Sequence, residues 1–344
     1  MVGIVGYFSV TISGNMLKQS LGENSALATS GIMKSIDQAI YYWIVDIKDF
    51  GDHEKEFKSS LLKSNEEFDY LSQPFTEIEV RDSEWVNTPP ENLNPLMVEL
   101  LYNPLAHSLR KKVVFYNKTF GYPIYGEIFV TNKYGANVAQ TSRTSDYKQD
   151  DELWGQEAKK TGLYVEDAKF DESADMYAIA IVARIDADEG NFIGVIKAVV
   201  NIKVFTRIID EADYSRMVGG GKIGLLSSNG RVIYTANNSS LFEVESDYDF
   251  FKEEIKNDKQ GFVSFSSLHF SKEGNFSEEH IITFSNSQGF EQFEGLGWSI
   301  IIKQDINRIL APVATLRNKI MTFSFLMIQR LRCTFRHSKL GCLV

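Results

Sequence analysis

Four side chains between residues 143 and 154 carry the chemistry best suited to holding a small polar solute. Arg143 offers a planar fork of donors that matches a carboxylate. Asp146 can accept from an ammonium or a hydroxyl. Tyr147 and Trp154 supply rigid apolar walls, each with one polar handle. A few converging polar groups on an apolar surface are the usual makings of a small-molecule pocket. Each residue also has a purely structural use. Trp154 and Tyr147 can serve as core. Arg143 can stand in solvent or pair with Asp146. Asp146 can cap the helix that begins near Asp150, or stabilise its own turn. Asp150, Asp151 and Glu152 read as first-turn acids that suit a helix dipole.

No catalytic constellation accompanies these residues. The chain lacks G-x-S-x-G, H-E-x-x-H, C-x-x-C and P-loop patterns. Gly219–Gly221 precede a strand pattern rather than a helix, so they read as a joint and not as a phosphate cradle. His280 follows Glu278 and Glu279, a trio more often found on a surface than around a metal. The expectation is no catalytic residue, no metal and no cofactor.

The chain has 344 residues, 43% of them hydrophobic and 24% charged, with 24 Gly and 7 Pro. This is the composition of a folded protein of about two domains. A net charge of −10 argues against a nucleic-acid partner, which would require a basic face. Charge is unevenly distributed: no Asp or Glu follows Asp305, and the tail beyond it carries Arg308, Arg317, Lys319, Arg330, Arg332, Arg336 and Lys339. Both cysteines, Cys333 and Cys342, lie in that basic tail. An acidic, cysteine-free body with a basic end suits an exocytoplasmic domain whose tail stays on the cytoplasmic side. The uncharged stretch 1–17 and the apolar run Ile320–Ile328 are each too short to cross a bilayer. They read as partial spans, the second breaking into unrelated basic sequence as a truncated or frameshifted reading frame would.

These side chains must be positioned by the elements around them. Ile32, Ile36, Ile40, Trp43, Ile47 and Phe50 recur at spacings of three and four, predicting a long amphipathic helix over residues 16–72. Pro74, Pro89, Pro90, Pro95, Pro104 and Pro123 then predict an irregular stretch over 73–122. Hairpins follow at 127–141, 177–202 and 222–235, with further strands at 261–265, 280–286 and 298–303. Helices are expected at 151–161, 204–214, 248–257 and from Asp305 onward. The segments GEIFVTNKYGANVAQT (126–141) and GKIGLLSSNGRVIYT (221–235) share one design of strand, polar turn ending in Gly, strand. Their turn glycines, Gly135 and Gly230, lie 95 residues apart, which suggests two repeated modules.

The stretch EIFVTNKYGANVAQTSRTSDYKQDDELWGQEAKKTG (127–162) resembles the membrane-distal module of double Cache sensor domains. The resemblance extends through 175–202 and 221–235 to GWSIIIKQDINRILAPVATLRNKI (297–320), covering roughly residues 15–320. It implies an α+β fold: a partial transmembrane segment at 1–15, a spine helix at 16–72, PAS-like antiparallel modules at 73–218 (distal) and 219–304 (proximal), and a C-terminal helix with partial span and basic tail at 305–344. It also places a ligand between the distal sheet and the 143–154 loop and helix, with Tyr177 on the floor strand and Asp175 just before that strand as an acidic contact. The amino-acid-binding subset of the family carries Arg-x-Trp-Tyr. This chain has Arg143-Thr-Ser-Asp146-Tyr147 instead, so the ligand stays open among amino acid, carboxylate, amine and purine-like compounds. The function implied is sensing by the extracytoplasmic part of a membrane receptor of the histidine-kinase or chemoreceptor type, anchored in the cell membrane and paired as a homodimer, with its output module outside this chain. An exported α+β enzyme and a surface structural protein are the alternatives.

Overall fold

The computed structural model describes residues 2–53, 55–212, 221–236, 241–271 and 274–340. Five helices come first: α1 (Val2–His53), α2 (Lys55–Asp69), α3 (Pro74–Asn87), α4 (Pro95–Tyr102) and α5 (Pro104–Phe120). The hairpin β1 (Tyr125–Asn132) and β2 (Asn137–Gln140) leads to α6 (Leu153–Thr161), β3 (Leu163–Asp171), β4 (Met176–Asp186), β5 (Phe192–Asn201) and α7 (Lys203–Glu211). A second series has β6 (Lys222–Leu226), β7 (Val232–Thr235), α8 (Lys252–Asn257), β8 (Gln260–Ser271), β9 (Gly274–Asn286), β10 (Ser299–Asp305) and α9 (Ile306–Leu340). The fold is α+β, with two five-stranded antiparallel sheets of order β2-β1-β5-β4-β3 and β7-β6-β10-β9-β8.

The chain divides into two compact units. The first-sheet unit comprises Lys34–Glu211 with Gln288–Gly297. In it α1 buries Ile36, Ile40, Ile44 and Ile47, one stripe at helical spacing, as the sequence predicts. α2 buries Phe57, Leu61 and Phe68 on the same principle. Its Asn65 is fixed at both ends of the amide: Nδ2 donates to the Ile193 carbonyl at 2.8 Å, and Oδ1 accepts from the Lys133 amide at 3.0 Å. A Cβ at Gly194 would collide with the Thr131 carbonyl oxygen of β1 and stand 3.0 Å from Leu61, so the backbones of β1 and β5 approach this closely only over a glycine.

The stretch 73–122 is not irregular. Three of its prolines start helices: Pro74, Pro95 and Pro104 each stand in the first turn, where a missing N–H leaves no bond unmade. Asn94 Oδ1 accepts from the Met97 amide and Asn103 Oδ1 from the Ala106 amide, each at 2.8 Å, the bonds expected of N-caps. Prolines that look like breakers along the chain are initiators here.

The second-sheet unit comprises Met1–Met33, Ala212–Ser287 and Trp298–Val344. Its core packs Leu226, Val232, Phe251, Ile255, Ile282, Phe284 and Ile301. Its two terminal helices run antiparallel, with Gly6 of α1 against Ile320 of α9 and Gly14 against Val313. Among the described residues no helix is long and apolar enough to cross a membrane.

The two hairpins are built alike down to their defects. β1–β2 shifts register between Val130 and Thr131, and β6–β7 between Leu225 and Leu226. Gly135 and Gly230 have φ of 82° and 78°, which a side chain would strain. The Gly135 amide donates to the Asn132 carbonyl, and that of Gly230 to the Ser227 carbonyl. The carbonyl of each glycine accepts from the returning chain at 2.9 Å, from the Gln149 amide in one case and the Glu245 amide in the other.

Candidate functional site

The first sheet presents one face to α2 and α5. On its other face a cross-strand row runs Gln140–Phe129–Lys197–Val182–Tyr164. Trp154, near the start of α6, lies on this row with its ring edge-on to Phe129 at 5.7 Å, and Ala158 and Val195 complete the cluster. α6 ends at Gly162, whose φ of 90° turns the chain into β3 and whose amide donates to the Ala158 carbonyl. Beside this cluster lies a cavity of about 360 Å³. β1 contributes Glu127 and Phe129, and β5 contributes Lys197. The loop before α6 adds Thr144, Ser145, Asp146, Gln149 and Glu152, and the end of β3 with its turn adds Lys169, Phe170, Asp171, Glu172 and Ser173.

Charge in the cavity is unbalanced. Glu127 is 5% exposed, and its Oε2 is buried with no hydrogen-bond partner. Burial, reinforced by the Asp171 carboxylate, pushes the Glu127 carboxyl up to about 7. Burial lowers Lys197, which Glu166 and Glu127 partly offset. The Lys197 ammonium stands 4.5 Å from the Trp154 ring centroid and 5.5 Å from that of Phe129, a cation–π arrangement. Burial also raises Asp146, against a hydrogen bond from the Gln149 amide group. Asp171 accepts from the Ser173 hydroxyl at 2.6 Å and the Ala174 amide at 3.0 Å, which holds the turn over the cavity. Among the described residues, no group of three or more His, Cys, Asp or Glu is placed to hold a metal ion.

Two of the six sequence-derived candidates, Asp146 and Trp154, line this cavity. The other four lie elsewhere. The Arg143 guanidinium donates to the carbonyls of Trp85 at 3.0 Å, Thr88 at 2.7 Å and Pro89 at 3.0 Å. It thereby closes the C-terminal end of α3, where orphan carbonyls and the helix dipole favour a cation. Tyr147 is buried in a cluster with Phe68, Trp85, Met97 and Leu100, and its amide donates to Asp82 Oδ1 at 2.8 Å. Asp175 is exposed at the β3–β4 turn with φ of 50°. Tyr177 packs edge-on against Phe170 at 5.1 Å. The sequence did carry a sign of Lys197: a lone cation in the strand FIGVIKAVV, which is otherwise apolar or glycine. Glu127 stands out less, because a glutamate in a hairpin strand is usually on the wet face.

The second sheet has no such chemistry at the corresponding place. Counting six residues back from the turn glycine, the row reads Gly224–Ile301–Phe284–Gly261. Ile301 stands where the first sheet has Lys197, and Phe284 and Ile301 pack with Phe251 and Ile255.

A long N-terminal helix, two tandem antiparallel sheets with shared strand order, and a C-terminal helix make up the α+β architecture that the double Cache resemblance implies. No protein-family model matches the chain, and no curated protein matches it by sequence. Solved structures similar to it include the ligand-binding domain of the Campylobacter jejuni chemoreceptor Tlp3 in complex with L-norvaline. That domain is 14% identical, with 86% of this chain and 96% of that one covered, at a TM-score of 0.46. The ligand-binding domain of Mlp24 with asparagine is 14% identical, covering 82% and 99%, at 0.40. The extracellular domain of rpHK1S-Z16, described as a histidine kinase, is 10% identical, covering 83% and 96%, at 0.43.

Proposed function

We propose that the chain is the small-molecule sensing part of a transmembrane signal-transduction receptor, exposed outside the cell, with the first-sheet unit as its ligand-binding module. The observation that carries this reading is the contrast between two like-built sheets. One holds a 360 Å³ cavity with Glu127 and Lys197 in its wall, and the other fills the corresponding row with Ile301 and Phe284. A buried carboxylate oxygen without a hydrogen-bond partner, beside a half-buried ammonium, is costly to keep, and a bound solute would supply the partner. The cavity is of a size for a small organic solute.

The membrane part of the proposal rests on the antiparallel pairing of α1 and α9 in the second-sheet unit. Phe8 and Ile12 on α1, and Phe323, Phe325 and Leu326 on α9, are exposed apolar side chains. These are the positions where two spans would enter and leave a bilayer. Ligand binding would shift the population of first-sheet conformers, and α1, which supplies residues to both units, would carry the difference. A homodimer would pair these helices with those of a second subunit.

A thermal-shift screen of amines, amino acids, carboxylates and nucleobases tests the proposal. Specific stabilisation by one class, lost in Trp154→Ala, supports it. Turnover of a compound without stabilisation supports an exported enzyme instead, and silence in both supports a surface structural protein.

A further inference from the structure

The geometry points to an organic cation as the ligand of the first-sheet cavity, its ammonium received by the Glu127 carboxylate, with Asp146 and Asp171 lining the same cavity. This rests on the sensing role proposed above and names the chemistry that the cavity recognises.

Three observations carry it. Glu127 lines the cavity while only 5% exposed, and its Oε2 is buried with no hydrogen-bond partner, so the carboxylate has an acceptor left unmet in the cavity wall. The groups facing Glu127 are Asp171, Asp146, Lys197 and the Ser173 hydroxyl. Of the charges, Asp171 raises the Glu127 pKa more than Lys197 lowers it. Lys197 does not cancel this: Glu166 is its chief counter-charge and the faces of Trp154 and Phe129 its neighbours. The second cation on the wall, Lys169, is bound to Glu166 at 2.7 Å. Five carboxylates line the cavity (Glu127, Asp146, Glu152, Asp171 and Glu172), and Arg143 is occupied by three backbone carbonyls elsewhere. An anionic ligand would have only Lys197 to meet it. A metal ion is a poor occupant, because among the described residues no three of these groups converge. An alkyl or aryl ammonium supplies the missing donor and sets its apolar part near Phe129 and Trp154.

The test is isothermal titration of the purified full chain with three series matched in skeleton: primary amines from ethylamine to phenethylamine and putrescine, the corresponding amino acids, and the corresponding carboxylates. Amines keep their charge between pH 6 and 8, so any change in affinity over that range reports the protein. The expected result is binding of at least one amine, tighter at pH 8 than at pH 6 by several-fold, as Glu127 ionises. Glu127→Gln should weaken that amine by about tenfold or more and remove the pH dependence. A melting curve of Glu127→Gln confirms that the variant is folded, and Asp146→Asn serves as a second variant, weakening the same amine. Tightest binding in the carboxylate or amino-acid series, or an amine affinity unchanged in Glu127→Gln, overturns the cation assignment and leaves the sensing role standing. No binding in any series removes both.

Discussion

Phe129 and Lys197 are direct partners across β1 and β5, and the Lys197 ammonium reaches from that pair over the ring of Trp154 at 4.5 Å. One cross-strand pair thus combines an apolar floor with a charge on the wall of the cavity. Its counterpart in the second sheet is Gly224 with Ile301, which carries no charge. The difference between the sheet with the cavity and its counterpart comes down to a few positions on one face.

Glu127 makes stability depend on pH. Burial keeps its carboxyl protonated to about pH 7, whereas the unfolded chain gives up that proton near 4.5. Between those values the folded state binds the extra proton, so this residue's contribution falls as pH rises from 4.5 to 7 and is level above. Glu127→Gln should therefore be more stable than the parent by about 2–3 kcal/mol at pH 8 and equal to it at pH 4. Urea unfolding of both at the two pH values measures this; a difference that does not change with pH contradicts it.

Arg143 should matter to the fold and not to the ligand. Arg143→Ala frees three carbonyls at and beyond the end of α3 and should cost about 1–3 kcal/mol. Affinity for any ligand of the cavity should change by less than about threefold, which is under 1 kcal/mol. A large loss of affinity at unchanged melting temperature would put Arg143 back in the site.

Asp46 ties α1 to α5 and β1. It accepts from Tyr116 at 2.5 Å and Tyr125 at 2.9 Å, and pairs with Lys112 at 2.8 Å. The Lys112 side chain is only 9% exposed, over the rings of Phe50 and Tyr116. Asp46→Asn leaves that ammonium without a counter-charge and should destabilise by about 3 kcal/mol. Adding Lys112→Met should restore part of the loss; a strictly additive double mutant would show that the pair is not coupled.

Asn103 does two jobs. Its Oδ1 caps α5 and its Nδ2 donates to the Val138 carbonyl of β2 at 2.8 Å. Asn103→Ala should lose more stability than Asn94→Ala, whose residue caps α4: about 2 kcal/mol against about 1. Equal losses in chemical denaturation would show that the bond to β2 contributes nothing.

Much of the fold is legible in the sequence because its signals are local. The two Gly-ended hairpins and the isoleucine stripe of α1 follow from spacing alone. Helices α3 to α5 are misread because a proline says that the chain changes course but not whether a helix ends or begins. The side-chain caps of Asn94 and Asn103 settle that, and only in three dimensions. β3 goes unseen because Leu163–Asp171 mixes charge into an edge strand with no clean alternation. In the candidate site, Trp154 and Asp146 belong to a loop and helix already placed by the hairpin before them. Arg143 could not be assigned, because the carbonyls that hold it come from residues more than fifty positions earlier. Glu127 and Lys197 meet only when β5 pairs with β1 across most of the module.

A crystal structure of the chain grown with the most stabilising compound of the screen tests the central claim most directly. The compound should lie in the cavity beside the Phe129–Trp154 cluster of the first sheet, within hydrogen-bond distance of Glu127. Density for it elsewhere, or a first sheet whose Trp154 face stays empty while the compound still stabilises the protein, contradicts the account.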